Sequence, residues 1–271
     1  MTDPQAFDYQ SALWGTETVR PGEWTIAGYR LDELLVHLPR RGRVLEVGCG
    51  AGRFLRAIHD HCPELELVGA DVSRNALGIL SEASTQIETR LVEGASLPAA
   101  DGEFDAVLAL DVLEHVTDPD QTLAEIRRVL APGGFFHLHV PCESDPRSLW
   151  RWLPGQRGER GLKRRLGGHI QSFRRDDILR RLQSSGFEII RVRNSLHLLG
   201  SLADVALFIG LAFANRRRDA GPITTTGEVM ARKSRVLAVV DALVCWEARL
   251  LGRVPSWSIH VSARTLVATR R

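Results

Sequence analysis

The stretch that decides the fold is Arg43-Val-Leu-Glu-Val-Gly-Cys-Gly-Ala-Gly52. Its apolar first half predicts a short buried strand, and its three glycines predict a turn into a helix that begins near Arg53. Glycine lets a backbone come close to a ligand because no Cβ stands in the way. A strand, a glycine turn and a helix together predict a cradle for a nucleotide-like ligand.

The spacing of the glycines indicates which ligand. A dinucleotide fingerprint, G-x-G-x-x-G, would need a glycine where the chain has Arg53. Instead Glu46 precedes the glycines, and a carboxylate there suits an ammonium group better than a pyrophosphate. The pattern resembles the first motif of the class I S-adenosylmethionine (SAM) dependent methyltransferases. The resemblance implies that SAM is the cofactor and that the turn binds it, through Glu46, Gly48, Cys49, Gly50 and Gly52.

Later segments extend the resemblance in the expected order over residues 43–141. Asp71 ends a second strand 19 residues after the turn, where an acid can accept both ribose hydroxyls. The resemblance also places Val72 at the cofactor, Glu93, Gly94 and Ala95 at the adenine, and Asp111 and Val112 beside the methionine end. Glu93 departs from the aspartate that is usual in the family. The branch that is most similar modifies quinones and other small molecules.

Alternating apolar strands and helical patterns predict an α/β fold, a Rossmann-like, doubly wound, mostly parallel sheet of seven strands. We expect helices at about 28–38, 53–61, 74–84, 119–130 and 174–184, with a fifth strand from Phe135 to Val140 after a Pro132–Gly134 stop. Residues 1–194 are expected to form the SAM-binding core with an N-terminal lid, 195–254 a helical insertion, and 255–271 the final strand. Trp14, Trp24 and Tyr29 belong either to the lid or to core packing.

The insertion begins with twenty largely apolar residues, 195–214. That length matches a membrane span, but Asp204 falls at its middle, where a charge is costly, and a span would separate the last strand from its sheet. A second amphipathic helix is expected from Val229 to Leu251. We therefore expect a cap, a helix pair on the membrane interface for an amphiphilic acceptor, or a homodimer interface.

Net charge and cysteine usage limit the classes of binding partner and the cellular compartment that we expect for this protein. The net charge is only +2, and with no binding-fold motif a nucleic-acid partner is not expected. The basic stretch Arg151–Arg175 is either a solvated loop or a surface for anionic headgroups or a phosphorylated substrate. The four cysteines show no CxxC pairing and the N-terminus shows no leader. We expect a cytoplasmic protein, with peripheral contact at the inner face of the membrane as an option.

Two histidines are the candidate catalytic residues. His115 lies on the loop after the fourth strand, where ligands bind, and His169 lies in a segment that resembles the family's cover over the acceptor. Each could act as the general base for a hydroxyl acceptor, or make only a structural hydrogen bond. Glu114 could act in place of a histidine, but as a loop acid it is expected to be solvated, and His137 and His139 are expected to be internal. No metal ligands are expected.

The sequence thus predicts a SAM-dependent methyltransferase whose acceptor is a small molecule or a lipid-linked metabolite, methylated at a hydroxyl oxygen. Two alternatives stay open: a SAM-binding partner subunit without turnover, and an N- or C-methyltransferase on another acceptor. The absence of an Asn-Pro-Pro-Tyr-like tetrapeptide after the fourth strand argues against methylation of DNA amino groups.

Overall fold

A seven-stranded sheet organises the chain in the computed structural model, which describes residues 7–10, 13–155, 161–216 and 235–266. Its order is β3-β2-β1-β4-β5-β7-β6. Strands β1 to β5 pair in parallel, and β7 pairs antiparallel with both β5 and β6. The strands are β1 Gly42–Val47, β2 Leu65–Asp71, β3 Ile87–Leu91, β4 Phe104–Leu110, β5 Leu130–Pro141, β6 Phe187–Ser195 and β7 Ser258–Thr265.

Eight α-helices lie between or beside the strands in the described ranges. Their starts follow local chemistry: Thr25, Ser73 and Asp118 each accept a backbone hydrogen bond as N-cap. The helices are α1 Ile26–Leu35, α2 Arg53–His61, α3 Arg74–Ala83, α4 Pro119–Val129, α5 Leu162–Gly167, α6 Arg175–Ser184, α7 Leu198–Arg216 and α8 Arg235–Leu251. Short 3₁₀ turns occur at Leu113–His115 and Leu149–Arg151.

Buried apolar side chains cover both faces of the sheet, as a doubly wound architecture requires. The strand order reverses between β1 and β4, and ligands bind in such sheets at the carboxyl ends of the strands on either side of that point. The glycine turn follows β1 and the Asp111 loop follows β4, so the fold brings both to one edge. The predicted fold class is confirmed.

Between β6 and β7 the described residues form two helices, α7 and α8. Helix α7 packs against α5 and α8, and α8 packs against α1 and β6. The buried side of α7 joins a small cluster around Trp150 and Trp257. Residues 217–234, which include the start of the amphipathic helix predicted from Val229, lie outside the described residues.

Two expectations about local structure need correction. Strand β5 begins at Leu130 rather than Phe135, because Leu130 pairs with Phe104 and the Pro-Gly-Gly segment is accommodated by a register irregularity within the strand pair. In the basic stretch Arg151–Arg175, Lys163 is buried and paired with acids instead of lying on a solvated surface. Residues 156–160 of that stretch lie outside the described residues.

Candidate active site

The glycine turn is tied to its neighbours by backbone hydrogen bonds. The amides of Gly48 and Cys49 donate to the carbonyl oxygen of Ala70, at 2.7 and 3.2 Å. Gly52 has a φ of +77°, and a Cβ there would lie 2.3 Å from a methyl carbon of Leu80. Gly50 has a φ of +54°, and its Cβ would lie 2.7 Å from the carbonyl oxygen of Trp14. Only glycine fits this cradle.

Glu46 lies beneath the turn as a buried carboxylate. Its side chain is 3% exposed, and one oxygen, Oε2, has no hydrogen-bond partner among the described atoms. Burial, reinforced by Asp71 and opposed by Arg53, raises the pKa of Glu46 to about 8. An unpaired, buried acid is costly, and a ligand ammonium group would satisfy it. The cradle and this acid therefore fit the methionine end of SAM.

Asp71, at the end of β2, organises the turn itself. One carboxylate oxygen accepts from the amide of Gly50 at 2.8 Å, and the other accepts from the amide of Ser73 at 2.8 Å. Each oxygen keeps a second lone pair, so the group can also accept the ribose hydroxyls predicted for it. The neighbouring Val72 side chain is 47% exposed, and its carbonyl oxygen accepts from Gln10 at 2.9 Å.

The residues predicted to face the adenine lie on an exposed loop after β3. Glu93, Gly94 and Ala95 are all exposed. The Glu93 carboxylate forms an ion pair with Arg74 at 2.6 Å, in which both side chains are 73% exposed. An adenine amino group would have to share this carboxylate with Arg74.

Asp111 is engaged by side chains of the protein. One of its oxygens pairs with Arg30 at 2.6 Å and the other with Nδ1 of His139 at 2.7 Å. Burial opposes ionisation, but Arg30 and His139 hold the pKa of Asp111 well below its usual range. The residue has a φ of +56°, a left-handed conformation that costs energy in a non-glycine residue. Val112 follows as a buried side chain at the mouth of the turn.

The two candidate catalytic histidines meet at this edge of the sheet. The rings of His115 and His169 have centroids 4.9 Å apart. Nδ1 of His115 lies 3.1 Å from the carbonyl oxygen of Gly168, and Nδ1 of His169 lies 2.8 Å from Oε1 of Glu143. A carbonyl oxygen only accepts, so the contact with Gly168 places a proton on Nδ1 of His115 and leaves its Nε2 with a lone pair; a neutral His169 that holds its proton on Nδ1, next to Glu143, has the same arrangement.

The environments of the two histidines differ. Burial, together with the neighbouring His169, lowers the pKa of His115 to about 4, so this imidazole stays neutral and is a weak base. His169 instead has the buried carboxylate of Glu143, whose pKa is lowered by His169 and Lys163 against the effect of burial. A carboxylate in that position orients the ring and stabilises the imidazolium form. Of the two histidines, His169 alone has a carboxylate next to Nδ1.

Glu114 is not solvated, contrary to expectation. It is 1% exposed, neither carboxylate oxygen has a hydrogen-bond partner among the described atoms, and burial together with Asp111 raises its pKa well above the usual range. The 3₁₀ turn after β4 rotates it inward. Glu114, His115 and His169 offer ligand atoms within 4.8 Å of one another, so these three residues could hold a metal ion, a possibility that sequence reasoning missed.

Tyr9 completes the site and was also missed, because no sequence pattern links it to residues over a hundred positions away. Its hydroxyl donates to the carbonyl oxygen of Gly168 at 3.1 Å and lies 3.2 Å from Nδ1 of His115. Burial raises the pKa of Tyr9 to about 12. Its ring lies near that of Trp14, whose carbonyl oxygen accepts from the amide of Ala51 in the glycine turn. One segment thus spans the cradle and the histidines.

The other N-terminal aromatic residues have different places. Tyr29 is a core residue, 3% exposed, with its hydroxyl donating to the carbonyl oxygen of Asn194. Trp24 is 56% exposed and lies over Arg249. His137 and His139 are internal, as predicted.

Comparison with known proteins places this geometry among methyltransferases. Residues 25–192, more than half of the chain, match the family model of a methyltransferase domain. The demethylmenaquinone methyltransferase of Deinococcus radiodurans is 38% identical over 38% of this chain and 43% of its own. The ubiquinone biosynthesis O-methyltransferase of Agrobacterium fabrum is 29% identical over 57% of this chain and 63% of its own.

Solved structures agree on the fold. Geranyl diphosphate C-methyltransferase from Streptomyces coelicolor, in complex with Mg²⁺, geranyl diphosphate and S-adenosylhomocysteine, superposes with a TM-score of 0.58 over 89% of this chain and 80% of its own, at 14% identity. The chain spans less than two thirds of the length of the first curated relatives that it matches.

Proposed function

The chain belongs to the class I SAM-dependent methyltransferases, and from that premise we propose that it transfers a methyl group to a hydroxyl oxygen of a small-molecule or lipid-linked acceptor. The observation that carries this proposal is the pair formed by His169 and Glu143, a partly buried imidazole and a buried carboxylate 2.8 Å apart at the cofactor edge of the sheet. A hydroxyl acceptor needs such a base, because an alcohol is a poor nucleophile until its proton is removed.

Each side chain has a distinct role in this mechanism. Glu46 binds the ammonium group of SAM, and Asp71 binds the ribose hydroxyls while it shapes the turn. When bound, SAM supplies a methyl group already activated on a sulfonium. Nε2 of His169 accepts the proton of the acceptor hydroxyl, and Glu143 stabilises the imidazolium that results. Neutral His115, held by Gly168, accepts a hydrogen bond at Nε2 and orients the acceptor beside the transferred methyl.

The relatives support the chemistry at different levels of detail. They include one C-methyltransferase and one O-methyltransferase of quinone biosynthesis by name, and this supports a small-molecule acceptor. The oxygen target rests on the base in this chain and not on those names.

The test uses purified protein, SAM and a panel of amphiphilic phenols and hydroquinones, with S-adenosylhomocysteine formation as the readout. For the acceptor that turns over, the methylated atom is identified by NMR. We expect an oxygen product, and we expect His169→Ala to lower kcat by about 10²–10⁴-fold while the Kd for S-adenosylhomocysteine is unchanged. His61→Ala, an exposed histidine on α2, is the control. A methyl on carbon or nitrogen, or full activity without His169, would overturn the proposal.

A further inference from the structure

The two helices of the insertion turn their acidic residues inward. Asp204 of α7 accepts from Lys163 at 2.9 Å and from the indole of Trp150 at 2.6 Å. Glu247 of α8 is 4% exposed and accepts from the first amides of α7, at 2.7 and 3.0 Å. Asp241 of α8 accepts from the amide that opens α1 at 2.9 Å. All three acids of the described helix pair therefore form contacts within the protein and do not face solvent as free charges.

The outward sides of the same helices are apolar. On α8 a stripe at helical spacing is exposed by half or more, which is the reverse of a helix on a water-soluble surface. On α7 a second stripe is 42–64% exposed. The members are Val236, Val239, Leu243, Trp246 and Leu250 on α8, and Leu198, Leu202, Ile209 and Phe213 on α7. Contiguous apolar surface of this kind marks an interaction site.

Positive charge borders this apolar surface. Arg235 at the start of α8 and Arg253 after its end are exposed. In sequence, the segment that joins the two helices, residues 216–235, carries six basic residues against two acidic ones. Among the described residues of the pair, the acids face inward, the apolar stripes face outward and an exposed arginine stands near each end of α8, a distribution that is complementary to an anionic lipid surface.

We propose that the outward surface of α7 and α8 docks the protein on an anionic lipid bilayer, with the helix pair lying in the interface. The charge pattern favours lipid over a second copy, because a second copy would present the same positive border to itself. The inference rests on this surface alone and does not require the proposed methyl transfer.

The helix pair lies on the bilayer and does not cross it. In the described ranges α7 alone is long and apolar enough to span a membrane, with a mean hydropathy of 1.8 over Leu198–Asn215, and 22% of that window is buried. Its inner face, however, is fixed to the core by Asp204, and β7 returns to the sheet after α8. An interfacial helix needs only one apolar face, which is what α7 and α8 offer.

The helix pair is joined to the sheet at the same edge as the candidate active site. Helix α7 starts at the carboxyl end of β6, and β6 runs parallel to β5, since both pair antiparallel with β7. Both ends of the insertion therefore lie at the edge that carries His115 and His169. Lys163 connects the two regions, because it lies between Asp204 and Glu143, 3.7 Å from the latter. Docking through the helix pair would therefore hold the edge of the sheet that carries the histidines close to the bilayer.

The test is vesicle flotation of the full chain, with vesicles of phosphatidylglycerol and phosphatidylcholine or of phosphatidylcholine alone. We expect the wild type to float with the anionic vesicles and to be released as salt is raised. The triple variant Leu202→Ser/Leu243→Ser/Trp246→Ser should bind at least about tenfold more weakly. The control, Val36→Ser/Ile190→Ser, removes apolar side chains that are 51% and 42% exposed outside the pair and should float like the wild type.

Two readouts keep the result interpretable. Urea unfolding should show that both variants fold, since every replaced side chain is exposed. In the wild type, brominated lipids should quench part of the tryptophan emission, and this quenching should be absent in Trp246→Phe. No flotation of the wild type at low salt would overturn the proposal, and so would equal flotation of the triple variant. A dimer in sedimentation velocity that the triple variant dissociates, without vesicle binding, would assign the surface to self-association instead.

Discussion

Binding of SAM should release a proton from Glu46. With a pKa of about 8, this carboxyl is about 90% protonated at pH 7 in the free protein. The ammonium of the ligand favours the carboxylate, so Glu46 should release about 0.9 proton on binding at pH 7. For the same reason the association constant should rise about eightfold from pH 6 to pH 7. Above about pH 8 it should fall again, because the amino group of the ligand, with an ordinary pKa of about 7.7–8.0, loses the proton that makes it an ammonium group.

The assay is calorimetric titration in two buffers of different ionisation enthalpy, which gives the number of protons exchanged. The amino group of SAM has an ordinary pKa of about 7.7–8.0 and takes up a small fraction of a proton on its own. Glu46→Gln is the control, because it keeps that contribution and removes the release. It should also weaken binding by about 10- to 150-fold, the loss of one charged hydrogen bond. Proton release that persists in Glu46→Gln, or none in the wild type at pH 7, would refute the placement of the ammonium at Glu46.

Further predictions concern the base, the cradle, the buried histidines and metal. Glu143→Gln should lower kcat for the acceptor by about 10²–10⁴-fold and leave the Kd for S-adenosylhomocysteine unchanged; equal loss of both would indicate only a structural role. In urea unfolding, Gly52→Ala should destabilise the fold by about 1–3 kcal/mol, because the added Cβ would lie 2.3 Å from Leu80. The control is Gly78→Ala on α3, which has open space around it and should be neutral or stabilising by up to about 1 kcal/mol. Burial lowers the pKa of His137 to about 3, below the value of about 6.5 in the unfolded chain. Its contribution to the free energy of unfolding is therefore complete above pH 6.5 and is lost as the pH falls toward 3, by about 1.4 kcal/mol per pH unit. The urea midpoint should fall between pH 6.5 and pH 4.5, and less steeply in His137→Gln; equal slopes in the two proteins would contradict this. Chelation with EDTA should leave methyl transfer within about twofold if His169 acts as a base; a loss restored by a divalent cation would make Glu114 and the two histidines metal ligands.

Local sequence was sufficient for the cradle and the sheet. The glycine turn, the acid before it and the acid at the end of β2 lie within 26 residues of one another, and their chemistry is tied to the strand–turn–helix conformation. The alternation of apolar strands with helical patterns likewise predicted the layered fold, because each pattern reports its own buried face.

The acceptor side depended on contacts that no local pattern encodes. Glu143 meets His169 across 26 positions, and Tyr9 meets His115 across 106. Glu114 was expected to be solvated, since a charged loop residue usually is, but the 3₁₀ turn buries it. The insertion was predicted as helical, yet only the structure shows that its acids face the core and its apolar residues face solvent.

The central claim is that the cradle around Glu46 and Asp71 binds an adenosyl cofactor, and titration with S-adenosylhomocysteine tests it most directly. We expect micromolar binding by the wild type, at least tenfold weaker binding by folded Asp71→Ala because a charged hydrogen bond is lost, and no binding of NAD by either protein. Failure of the folded wild type to bind S-adenosylhomocysteine, or binding that Asp71→Ala does not weaken, would contradict it.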